Sequence, residues 1–230
     1  MSALDFAAML RAEKRKARSA VAAPAPAPPK QQQSRPPPDA ATAALDTSRP
    51  RPALQVLPGA PPTIAYAADW ISEAEEAAIV AAAKRGDDWV TVRGRRLRRL
   101  GGPAGEAGFA PEPLPRWARD ACAAAAASDP SSRPVPNHVL VNAYDFSKES
   151  YVLPHTDGPA YDDRTFTLSC GADAVVVFKE RLKTSDIGVR AAATRCEVLL
   201  RRRSLLAFSR EAYTECTHEI GAAPDTIGLC

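Results

Sequence analysis

Twelve of the 22 prolines fall between Ser19 and Pro62, and this clustering divides the chain before any other feature does. Proline donates no backbone hydrogen bond and keeps its predecessor out of the helical region, so so dense a stretch cannot join a helix or a sheet. Residues 1–62 are expected to form a disordered basic, Pro/Ala-rich tail, and residues 63–230 one folded domain. Inside the tail, Arg11, Lys14, Arg15, Lys16 and Arg18 make a basic run that suits an import signal, a nonspecific phosphate contact, or plain solvation. Pro36–Pro38 has the form of a polyproline ligand, as a proline-rich linker generally does.

Charge follows the same division. Residues 1–30 hold six basic and two acidic side chains, and residues 31–63 three and two. Removing these from the 30 Lys/Arg and 27 Asp/Glu leaves 21 basic against 23 acidic, a net −2, for residues 64–230. The formal +3 therefore belongs to the tail, which argues against a domain that binds nucleic acid over its whole surface. The five cysteines, at 122, 170, 196, 216 and 230, form no CxxC pair. Such spacing predicts reduced thiols in the nucleus or cytoplasm, with neither a zinc finger nor a disulfide framework. No run approaches 18 apolar residues, and Met1–Leu10 lacks the basic start of a signal peptide, so no membrane partner is expected. A monomer is expected.

Within the domain, Ser72-Glu73-Ala74-Glu75 has the capping-box pattern and predicts a helix to about Lys84, with Ala77, Ala78, Val80 and Ala81 among its apolar face. Trp89–Val92 reads as a strand, and Arg93, Arg95, Arg96, Arg98 and Arg99 follow as the densest positive patch of the chain. A glycine/proline loop leads to a second helix over Leu114–Ala127, with Trp117 facing inward. From Val139 the pattern changes to short β-branched and aromatic runs: Val139–Tyr144, Thr165–Ser169, Ala174–Phe178, Glu197–Leu200 and Ser204–Phe208. The domain is therefore expected to be mainly β, of the α+β kind, with two helices ahead of the strands.

Three histidines occur, His138, His155 and His218. In His155-Thr156-Asp157 an extended backbone sends the imidazole and the carboxylate out of the same face, where both can hold one ion. His218 is the natural third donor. Two histidines and a carboxylate on one face leave open positions, as a non-haem Fe(II) oxygenase requires. His-x-Asp alone is a short pattern that also occurs by chance. A loop His/Asp pair, another metal, and zinc hydrolysis with Glu219 as base stay open, although a strand would turn Glu219 away from its neighbour His218. His138, with no acid beside it, is expected to be structural. Asn142 and Tyr144 alternate onto one face of the preceding strand, where an amide and a phenol can meet an oxyanion.

These residues sit in Pro136–Tyr144 and Pro154–Tyr161, followed by Thr167–Ser169, Val177-Phe178, Arg203–Leu206 and Ala212–Thr214. Upstream lie Ile71–Glu73, Trp89, Arg95–Leu97, Gly101-Gly102 and Leu114-Pro115. In this order the segments resemble the AlkB-like Fe(II)/2-oxoglutarate dioxygenases, most closely the sixth-homologue branch. The resemblance implies a double-stranded β-helix (jelly roll) flanked by helices, Fe(II) on His155, Asp157 and His218, and the cosubstrate 2-oxoglutarate against Asn142 and Tyr144. It implies oxidative decarboxylation of 2-oxoglutarate to succinate, coupled to hydroxylation or demethylation of a substrate, with alkylated nucleic acid as one such partner. Arg93, Arg95, Arg96, Arg98 and Arg99 are the expected substrate contacts. Two departures accompany it. Residues 145–150 replace the family's Pro-Gly turn, and residues 219–230 lack its terminal Arg-x-Ser-x-x-x-Arg strand. The expectation is thus a core truncated at its last strand, poor turnover, and, as the alternative, a degenerate dioxygenase fold acting as an interaction module.

Overall fold

A computed structural model describes residues 45–222, apart from 93, 106–107, 130, 132–133, 149 and 188–190. The basic run at 11–18, the proline run at 36–38 and the terminal stretch 223–230 lie outside the described residues. The elements run β1 (Gln55–Val56), β2 (Ile64–Ala67), α1 (Glu73–Lys84), β3 (Val90–Val92), β4 (Arg95–Leu100), β5 (Ala104–Gly105), β6 (Gly108–Phe109) and α2 (Arg116–Ala127). There follow β7 (Val139–Ala143), β8 (Val152–His155), β9 (Arg164–Leu168), β10 (Ala174–Glu180), β11 (Thr194–Leu200), β12 (Leu205–Ser209), α3 (Glu211–Thr214) and β13 (Cys216–Ala222). The chain is mainly β, as the short apolar runs predict.

The strands form four separate sheets, ordered β1-β2-β12-β9, β11-β10-β13-β8, β3-β4-β7 and β5-β6, with every pairing antiparallel. None of these sheets closes or curls on itself, so the jelly roll expected from the family resemblance is not formed among the described residues. Closure needs continuous hydrogen bonding around the layer. Here β8 and β9, consecutive in the chain, end different sheets. The turn between them passes through Gly158 at φ +86, a conformation that favours glycine.

The two four-stranded sheets nevertheless share one core. Ile64, Leu206 and Phe208 from the first pack with Ala174, Val176, Phe178, Val198 and Leu200 from the second. Phe178 and Phe208 meet edge to face, with ring centroids 5.2 Å apart. On its other side the first sheet carries Ala67 and Leu205 against Ile79 of α1, Ala125 of α2, Trp70 and Ile71. The helices thus cover one sheet, and the second sheet lies beyond it.

Helix α1 begins at the expected capping box: Ser72 Oγ accepts from the Glu75 N–H, and the Glu75 carboxylate accepts from the Ser72 N–H. Its buried face is rotated from the expected one. Glu75, Glu76, Ile79, Ala82 and Ala83 are buried in place of the expected Ala77, Ala78, Val80 and Ala81. Two glutamates can occupy this face because arginines from distant segments pair with them. Arg49 and Arg51 reach Glu75 at 3.1 and 2.9 Å, and Arg202 reaches Glu76 at 2.6 Å. The packed region also starts before Ile64. Leu45 is only 2% exposed, Arg51 stacks over the Trp70 ring at 4.6 Å, and β1 pairs with β2. Part of the segment read as tail, from Leu45 onward, therefore lies against the domain.

Candidate metal centre

His155 closes β8, and His218 sits directly across from it on β13, as a register pair. Residues opposite one another on adjacent strands project to the same face, and the two imidazole centroids are 4.2 Å apart. Asp157 follows two residues later, in the turn that leaves the sheet, and its Oδ1 lies 3.8 Å from His155 Nε2 and 3.7 Å from His218 Nε2. One ligand atom from each of the three residues falls within 4.8 Å of the others. Bonds of about 2.1 Å at right angles would put such atoms about 3 Å apart, so the set closes on an ion by a small side-chain rotation. The three form a two-histidine, one-carboxylate set of the kind that holds Fe(II).

Each ligand atom is oriented by a further contact. His155 Nδ1 is 2.9 Å from the Leu153 carbonyl oxygen, which can only accept; Nδ1 therefore carries the proton and Nε2 the free lone pair. The Thr165 hydroxyl on β9 donates to Asp157 Oδ2 at 2.9 Å, leaving Oδ1 toward both histidines. Tyr213 in α3 donates to the Gly158 carbonyl at 3.0 Å and pins the turn just after Asp157. His218 is 9% exposed, with Phe208 and Phe178 at centroid distances of 5.1 and 6.1 Å. Burial pushes its imidazole down to about 4, with His155 adding to this and Asp157 opposing it, so the ring is neutral at pH 7. A neutral imidazole is the form that ligates a metal.

Glu219 points away, as its strand position predicts, and pairs with Lys179 at 2.5 Å. A hydrolytic base at that position is thereby removed from the centre. His138 does not join the ligands. It packs against Tyr161 at 5.1 Å, and burial and the nearby Arg99 charge push its ring down. Tyr161 in turn feels Asp157 and Arg99, and burial raises its phenol.

Asn142 lies on β7 opposite Leu97 of β4, and Tyr144 follows on the same face. Tyr144 is buried and stacks on Phe146 at 5.6 Å, and Phe146 packs against the core that also flanks His218. The arginine run divides by strand alternation. Arg95 and Arg99 share the face of Asn142 and Tyr144, while Arg96 and Arg98 take the other. Arg96 sits over the Trp89 ring at 4.9 Å. Arg98 pairs with Asp88 at 2.6 Å and donates to the Ala83 carbonyl at the end of α1. Arg93 lies outside the described residues. The four described arginines of the run thus do not form one positive surface. Thr165 and Tyr213 are the positioning side chains that sequence reasoning missed; neither stands next to a ligand in the chain, and only the packing of β9 and α3 around the Asp157–Gly158 turn brings them in.

No protein-family model matches the chain. A curated protein of Danio rerio described as "Probable RNA/DNA demethylase ALKBH6" is 29% identical over 178 residues, covering 75% of this chain and 75% of that protein. The solved structure of OsALKBH1 aligns with 76% of this chain and 96% of its own, at 15% identity and a TM-score of 0.49. The likeness to the curated relative, together with the three converging ligand residues, supports AlkB-family homology. Among the described residues, no helix is long and apolar enough to cross a membrane.

Proposed function

We propose that this chain is an Fe(II)- and 2-oxoglutarate-dependent dioxygenase of the AlkB type, nearest to the sixth-homologue branch. The observation that carries the reading is the approach of His155 Nε2, His218 Nε2 and Asp157 Oδ1 to a single point from two distant chain segments, β8 with its following turn and β13. In this reading the three side chains hold the metal from one side and leave the opposite positions open. Fe(II) with bound 2-oxoglutarate would activate dioxygen, one oxygen atom passing to succinate as 2-oxoglutarate loses CO2 and the other to a substrate C–H bond. The protein's share of the work is positioning. Thr165 keeps the carboxylate turned inward, Leu153 keeps the His155 tautomer, and the Phe178 and Phe208 rings keep water from the buried side of His218. Asn142 and Tyr144 direct an amide and a phenol at the 2-oxo acid. The Asn142 Oδ1 is buried and makes no hydrogen bond within the protein, which fits a side chain completed by a ligand.

Alkylated nucleic acid is the substrate class this reading favours, since the curated relative is described as a probable RNA/DNA demethylase. Arg99, exposed on the face that carries Asn142, is the arginine this reading assigns to its phosphates. A nuclear or cytoplasmic monomer belongs to the same reading. The test is Fe(II)-dependent release of succinate from 2-oxoglutarate by the full chain, together with an Fe(II) titration. Asp157→Ala is expected to weaken Fe(II) binding about a hundredfold and to abolish succinate release, with little change in melting temperature. Tight Fe(II) binding with no succinate formed would sink the oxygenase reading and favour an interaction module.

A further inference from the structure

2-Oxoglutarate is a dianion. In the dioxygenase reading its 2-oxo acid end would bind the metal, and its distal carboxylate would need a cation that Asn142 and Tyr144 do not supply. Several arginines near the core are already engaged. Arg98 is held by Asp88, Arg164 by Asp129 at 2.7 Å, and Arg202 by buried Glu76. Arg210 is exposed at the start of α3. Arg95 has no carboxylate paired with it among the described residues. It is half-buried, and its Nε is closed off from solvent without a hydrogen-bond partner.

Its place on the sheet gives that orphan donor a direction. Arg95 alternates with Leu97 and Arg99 along β4, and Leu97 is the register partner of Asn142, so Arg95 lies on the Asn142 face at the end of the β4–β7 ladder. That face leads toward the candidate metal centre through its aromatic residues: Tyr144 stacks on Phe146, and Phe146 packs in the core whose Phe178 and Phe208 rings flank His218. Arg95 Nε and Asn142 Oδ1 are thus two buried, unpartnered polar atoms on one face of adjacent strands. Burying such atoms is unfavourable unless a ligand completes them. The Asn142 amide can equally turn its N–H groups inward.

We propose that Arg95 is the positioning residue that pairs with the distal carboxylate of the 2-oxo acid cosubstrate, an inference that rests on the dioxygenase reading above. A guanidinium offers two parallel N–H donors to a carboxylate, and in a site partly screened from water this pairing decides which 2-oxo acids bind. Arg95 is therefore a determinant of cosubstrate choice and does not touch the reacting carbon.

The experiment compares 2-oxoglutarate with 2-oxobutyrate, which keeps the chelating end and lacks the distal carboxylate. Both are titrated calorimetrically, without oxygen, into the Fe(II)-loaded full chain and its variants. The unaltered protein is expected to prefer 2-oxoglutarate by about a hundredfold. Arg95→Gln should erase that preference while 2-oxobutyrate binds as before, and Arg95→Lys should keep part of it, within about tenfold of the unaltered protein. If Arg95→Gln does not fold, the lysine variant decides: a reduced preference supports the assignment and an unchanged one overturns it. Equal weakening toward both acids would mean a structural role and overturn the proposal. So would an unchanged preference in Arg95→Gln, which leaves the dioxygenase reading standing. Failure of the unaltered protein to bind either acid overturns both.

Discussion

Asp157 carries two tasks on two oxygens, and the division between them is made by a residue eight positions away. Oδ2 accepts from Thr165 at 2.9 Å, so Oδ1 is left to face His155 and His218. Thr165→Val keeps the shape of the side chain and removes this donor. The carboxylate is then free to rotate, and Fe(II) affinity should fall about tenfold while stability changes by about 1 kcal/mol. Titration of Fe(II) into both proteins checks this, with Thr165→Ser expected to retain most of the affinity. Full affinity in the valine variant would remove Thr165 from the centre. The candidate ligands were legible in the sequence because histidine is scarce here, with three in the chain. Thr165 was not, because one threonine in a strand looks like any other until the opposite sheet is known.

At the scale of one element, α1 shows how a local signal and a tertiary one combine. Its capping box is written in four consecutive residues, whereas the burial of Glu75 depends on Arg51 and Arg49, more than twenty residues upstream. Burial alone would raise the Glu75 carboxyl. The Arg51 hydrogen bond, the Ser72 N–H and the Arg51 charge outweigh it and hold the group at about 2, against an ordinary 4.5. A carboxyl depressed by folding contributes its full stabilisation above its unfolded value and loses it as pH falls through the folded one. The window is therefore about pH 4.5 down to about pH 2, and the contribution about 3 kcal/mol. Glu75→Gln should cost roughly that much at pH 7, since it leaves the arginines without their counter-charge. The gap between the two proteins in urea unfolding should narrow as pH drops through the window; parallel curves would refute the assignment. The arginine run of β4 gives the complementary lesson. Five basic residues in seven read as one patch, but the two-residue period of β4 sends Arg95 and Arg99 to one face and Arg96 and Arg98 to the other.

For the whole molecule, the decisive feature is a helix layer and two open sheets that share cores across long stretches of chain. Leu45, Arg49 and Arg51 belong to this assembly, although they lie between prolines in the sequence. Burial of one leucine contributes about 2 kcal/mol, and the Glu75 pairs add to it. A chain starting at residue 63 should accordingly be less stable than one starting at residue 44 by at least about 3 kcal/mol. Urea unfolding of the two shortened chains measures the difference. Equal stabilities would show that residues 45–62 contribute nothing to the core.

Much of the secondary structure follows from short-range chemistry, and so was readable without a fold: the Ser72–Glu75 cap, the second helix ending at Ala127, and the β-branched runs of β7, β9, β10, β11 and β12. β2, β8 and β13 escaped, because Ile64–Ala67, Val152–His155 and Cys216–Ala222 carry weak local strand signals and are held by their neighbours. The scarcity of histidine and the His-x-Asp spacing likewise singled out the candidate ligands. Tertiary structure alone decided that the sheets stay open, that Thr165 and Tyr213 serve the centre, and that Arg95 turns inward while Arg98 turns to the end of α1. The physical reason is range. A cap or an alternation depends on groups within a few residues, whereas pairings such as Phe208 with both Ile64 and Thr165 minimise exposed apolar surface and unpaired polar groups over the entire core at once.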